Sequence, residues 1–138
     1  MTKQERFMYL FARWSLAMVY IWFGALKLFD ASPANPLVAD LLARTIPFIG
    51  FEQFIIGLGI FEIIIGVLLL IPHVQLAALI LLVPHVAMTT GPLLLAPAMS
   101  WTGFLQPSLE GQYIIKNILI LALALVIAIE RKSYEKRA

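Results

Sequence analysis

The sequence has no cysteine, so disulfides, thiolate metal ligands and thiol redox chemistry within the chain are excluded. Charge is scarce as well. Lys, Arg, Asp and Glu make up 13% of the 138 residues, and the net charge of +2 is too small and dispersed to suggest nucleic acid binding. No flavin, nicotinamide, haem or metal motif is present. What fills the chain instead is apolar. The hydrophobic share is 62% and the mean hydropathy +0.93, where soluble domains hold about 45–50% apolar residues. That excess points to a bilayer.

Four runs are long enough to cross one, which takes about 20 residues of helix. They cover about 8–29, 53–71, 74–96 and 112–129. Backbone polar groups cannot stay unpaired in hydrocarbon, so each run is expected to be a helix. The expected fold is therefore all-α: one four-span domain over 1–138, an up-down-up-down membrane bundle. The first run carries Arg13 and Lys27 and has no small-x-small cleavage site after it, so it reads as an uncleaved span rather than a signal peptide. Lys3, Arg6 and Arg13 flank the first span and "RKSYEKRA" follows the fourth, which predicts cytoplasmic termini and outward-facing longer loops.

The loops carry signals of their own. In "ANPLVADLLARTIP", Asn35 is placed to cap a short helix over Pro36 to Thr45, with Leu37, Leu41 and Leu42 on its buried side and Asp40 and Arg44 opposite. Such a helix would lie flat at the membrane interface. The segment "APAMSWTGFLQPSLEG" reads as an irregular cover anchored by Trp101 and Phe104, ending at Ser108 as the cap of span four.

Glu62, alone in "GIFEIIIGVLLLI", raises the main question. An acid near the bilayer midplane costs about 3 kcal/mol on insertion scales and is a functional hypothesis by default. Spans two and three form a tight hairpin, and counting outward from it puts His85 within about 3 Å of the height of Glu62. A Glu62–His85 hydrogen bond holding at least one proton is therefore expected. The same count places Lys27 and Lys116 about 10 Å farther out. On the first span Arg13, Ala17, Tyr20, Gly24 and Lys27 form one stripe, and Gly59 and Gly66 flank Glu62. His85 and Thr89 share a face of span three, while span four offers Lys116 and Asn117. The candidate cavity thus comprises Tyr20, Lys27, Glu62, His85, Thr89, Lys116 and Asn117, in the outer half of the bundle.

Plainer roles stand beside these. Lys27 and Lys116 can snorkel to the interface, and Arg13 reads mainly as an anchor to lipid phosphate. His85 follows Pro84, which frees the carbonyl of Ile80, and can serve merely to satisfy a kink. His73 and His85 are about 18 Å apart by helical rise, too far for one haem. Glu62 with His85 supplies two ligands, where a closed metal site needs three or four.

The segments "YIWFGALKLFDASPANPLV", "GIFEIIIGVLLL", "PHVAMTTGPLLLAP" and "PSLEGQYIIKNILIL" resemble the DoxX-like superfamily of small bacterial membrane proteins, closest to its YkgB or reactive-chlorine-resistance branch. The family pattern often has an acid after the lysine of span four, where this chain has Asn117. The resemblance implies a bacterial inner-membrane location and an association with oxidative stress, without a settled activity.

Three classes of function follow. One is a redox-stress component binding a lipoquinone or other amphipathic molecule, with Glu62 and His85 managing its proton. The second is a proton-coupled transporter acting as a homo-oligomer. The third is a non-catalytic assembly protein contacting a protein partner. The first is the reading preferred here.

Overall fold

The computed structural model describes residues 2–136 and is almost entirely helical. Helix α1, Lys3–Leu28, begins at a capping box: the Thr2 hydroxyl accepts from the Glu5 amide at 3.1 Å, and the Glu5 carboxylate accepts from the Thr2 amide at 2.6 Å. Those bonds start the helix five residues before the apolar run does. Its buried side is Tyr9, Arg13, Leu16, Ala17, Tyr20, Gly24 and Lys27, which contains the stripe read from the sequence.

The remaining elements follow in order as α2 (Asn35–Thr45), α3 (Phe51–Leu70), a 3-10 turn (Pro72–Val74), α4 (Gln75–Thr90), α5 (Pro92–Leu95), α6 (Pro97–Ser100), β1 (Trp101–Gly103), β2 (Gln106–Pro107), α7 (Leu109–Ile115) and α8 (Asn117–Glu135). Four stretches are long and apolar enough to cross a bilayer: Lys3–Leu28, Phe51–Leu70, Pro72–Leu95 and Leu109–Glu135. They match the four expected spans, with two interruptions. Span three breaks at Gly91, before Pro92 opens a new turn, and span four breaks at Lys116. Span four also runs on to Glu135, because "RKSYE" continues the helix.

Glycines decide how closely α1 and α3 approach. A methyl group added at Gly24 would lie 2.5 Å from the Gly59 carbonyl oxygen, and one at Gly59 would lie 2.7 Å from the Gly24 oxygen. At Gly66 it would lie 2.9 Å from the Ala17 oxygen. Backbones this close leave no room for side chains, the small-residue packing that serves helices where hydrophobic association is weak. Ile65, Leu69, Leu82 and Ile127 fill the middle with no exposure. The outside is as apolar as the inside. Trp14, Trp22, Ile80, Val83, Leu119 and Ile129 are all more than half exposed, which is the pattern of helices apolar all round.

Two loop expectations need correction. Asn35 does not cap α2; its side-chain amide donates to Asp30 at 2.7 Å, and the helix starts without a side-chain cap. Leu42 is buried in α2, but Leu37 and Leu41 are only half-buried. The helix rests on α3 and α5 by one edge, while Asp40 and Arg44 pair on its exposed side at 2.8 Å. The expected irregular cover is ordered instead as α6 and the β1–β2 hairpin. Its backbone is held by Ser100, whose hydroxyl donates to the Pro92 carbonyl at 2.9 Å, and by the Trp101 indole, which donates to the Leu93 carbonyl at 2.9 Å. Ser108 caps α7 as expected, accepting from the Gly111 amide at 3.0 Å.

Candidate functional site

Glu62 is 5% exposed and spends both carboxylate oxygens on partners from other helices. Lys27 of α1 donates to Oε2 at 2.7 Å, and Nε2 of His85 on α4 lies 2.9 Å from Oε1. Beyond the imidazole, Nδ1 meets the Tyr20 hydroxyl at 3.1 Å. Lys27 and His85 are each 7% exposed and Tyr20 is 3% exposed, so the whole chain Lys27–Glu62–His85–Tyr20 is buried.

The hydrogen bond expected between Glu62 and His85 is present. The expected gap of about 10 Å to Lys27 is not. Counting from span ends set the wrong level for α1 against α3. The glycine contact places Lys27 beside Gly59, since a methyl there would meet the Lys27 Cβ at 3.1 Å, and Gly59 is one turn from Glu62. From that position the lysine stem points inward and does not snorkel.

One assignment of protons satisfies every contact without net charge. With ammonium on Lys27, carboxylate on Glu62 and neutral imidazole, Lys27 donates to Oε2, Nε2–H donates to Oε1, and the Tyr20 hydroxyl donates to Nδ1. Every charge is then paired and every one of these contacts runs from donor to acceptor, the condition for keeping such groups out of water.

Thr89 and Asn117 extend the polar region one turn further along α4. The Thr89 hydroxyl donates to the His85 carbonyl at 3.0 Å and accepts from the Asn117 amide at 3.1 Å, linking α4 to α8. Lys116 is not part of it. It occupies the break between α7 and α8 and is exposed, while Asn117 beside it is half-buried. Among the described residues no three His, Cys, Asp or Glu side chains converge as a metal site would require.

Beside His85 an open groove of about 460 Å³ runs between α3 and α4. Phe54, Gly57, Leu58 and Phe61 form one wall, Pro84 and Met88 the other, and Ile49 and Gln53 close the loop end. A methyl at Gly57 would touch nothing, so the glycine itself opens this surface. Sequence reading missed the groove, although Gly57 and Phe61, four residues apart and beside Glu62, were its trace. Arg13, read from the sequence mainly as an anchor to lipid phosphate, is 4% exposed and lies within the bundle.

Comparison with family models, curated proteins and solved structures returns no match to this chain.

Proposed function

We propose that this chain is a DoxX-like bacterial inner-membrane protein whose four helices cross the bilayer up and down, with both termini in the cytoplasm. Its working site is the groove between α3 and α4, and its occupant is a quinone-like amphipathic molecule handled during oxidative stress. The four long apolar helices support the membrane reading. One observation carries the site: the apolar groove meets a buried, hydrogen-bonded acid network at His85.

Ligand pockets have volumes of about 300–1,000 Å³ and combine apolar walls with a few polar groups, and this groove has that make-up. An apolar ring and tail would lie along Phe54, Leu58, Phe61 and Met88, with the head group against His85. The Glu62–His85 pair, as carboxylate and neutral imidazole, can take up one proton from a head group at the groove and return it, while Tyr20 holds the other ring nitrogen.

Mild-detergent purification followed by mass spectrometry of co-extracted lipids tests the site. Lipoquinone should be enriched with the native protein and depleted from Gly57→Leu, whose side chain would occupy the groove. Equal recovery from both proteins would refute the assignment.

A further inference from the structure

A second polar cluster lies toward the chain termini, about 10 Å along α1 from Tyr20. Arg13 is 4% exposed, and its Nε and Nη1 are buried without a hydrogen-bond partner among the described residues. Gln75, wholly buried at the start of α4, accepts from the Tyr9 hydroxyl at 2.6 Å and leaves its own Nε2 unpaired in the same sense. Tyr134 of α8 stacks on Tyr9 with ring centroids 4.9 Å apart. The Arg13 guanidinium carbon lies 5.7 Å from each of those two rings. Glu130, one turn before Tyr134, forms no ion pair with Arg13.

The unpaired atoms of this cluster are all donors, and one of the groups carries a permanent positive charge. Burying such a group without an acceptor is among the costlier arrangements in a folded chain. A planar guanidinium presents two forks that match the oxygens of an oxyanion, Nε with Nη2 and Nη1 with Nη2, and each unpaired nitrogen here belongs to one of them. The approach is also charged. Exposed Arg6 sits seven residues before Arg13 on the same stripe, its guanidinium 5.5 Å from the Tyr134 ring, so two cations flank one aromatic between surface and interior.

We propose that Arg13, with Gln75 beside it and Arg6 at its mouth, is a phosphate-binding site at the terminal end of the bundle. The shared chemistry is a phosphate oxyanion, supplied either by an anionic phospholipid head group or by free phosphate. The site is separate from the Glu62 network and does not depend on the function proposed for it.

The test uses the full chain in neutral detergent, titrated with inorganic phosphate or with micelles containing phosphatidylglycerol, against phosphatidylcholine as control. Thermal midpoint and phosphate-bearing adducts by native mass spectrometry are read together. The native protein should gain an adduct and a higher midpoint. A response to phosphatidylglycerol alone identifies the lipid as source; a response to phosphate as well identifies the free anion. Arg13→Gln should weaken binding about tenfold or more, since bonds to a charged group contribute most of the grip. Arg44→Gln, at the far end, should bind as the native protein does. If Arg13→Gln does not fold, Arg13→Lys keeps the charge without the fork and should also bind more weakly. Absence of both adduct and midpoint shift in the native protein overturns the proposal, as does unchanged binding in the Arg13 variant that folds.

Discussion

The Lys27 ammonium lies 2.7 Å from the Glu62 carboxylate across the α1–α3 contact, with both side chains at most 7% exposed. Neither charge reaches solvent, so each depends on the other. Replacing a buried pair with neutral groups is often tolerated, whereas removing one partner strands the second. Lys27→Met should therefore lower stability by about 3–5 kcal/mol, and the double variant Lys27→Met/Glu62→Gln should recover much of that loss. Unfolding in mixed micelles checks both; additive losses would show that the pair is not coupled.

The glycines of α3 should behave oppositely according to what faces them. Gly59→Ala drives a methyl into the Gly24 carbonyl at 2.7 Å, so α1 and α3 must separate and stability should fall, taking the Lys27–Glu62 contact with it. Gly57→Ala meets nothing and exchanges glycine for a better helix former, so it should be neutral or stabilising by up to about 1 kcal/mol. Thermal midpoints of the two variants, measured side by side, should move in different directions or at least differ clearly.

Tyr20→Phe deletes the group bonded to Nδ1 of His85 and leaves that nitrogen buried without its partner. The expected cost is about 1–3 kcal/mol. A loss that disappears when His85→Phe is added would locate the effect in this bond. If Tyr20→Phe is as stable as the native protein, the hydroxyl is not holding the imidazole.

Much of this arrangement could be read from residue order, but only along each helix. The stripe Arg13, Ala17, Tyr20, Gly24 and Lys27 is a matter of helical period, and it is buried as that period requires. The height of Glu62 against His85 was readable because a tight turn joins their helices and fixes the origin of the count. No such turn joins α1 to α3. The six residues 29–34 and the whole of α2 intervene, so the level of Lys27 depended on glycine packing that a count cannot supply. Lys116 was misplaced for a related reason: a residue count gives its depth but not the side of the bundle it faces, and it is exposed. Gln75 gave no warning either, since a polar residue at a helix start is ordinarily exposed, and only Tyr9, far away in sequence, explains its burial.

Proton exchange between the Glu62 network and a molecule in the groove is the central proposal. Calorimetric titration of the purified protein with a short-chain quinone, repeated in two buffers of different ionisation enthalpy, measures that exchange directly. The native protein should bind with buffer-dependent heat, showing proton uptake or release, and Glu62→Gln should still bind but with heats that no longer depend on the buffer. Binding by the native protein with identical heats in both buffers, or no binding at all, would contradict the account and leave Lys27, Glu62, His85 and Tyr20 as a structural clamp between three helices.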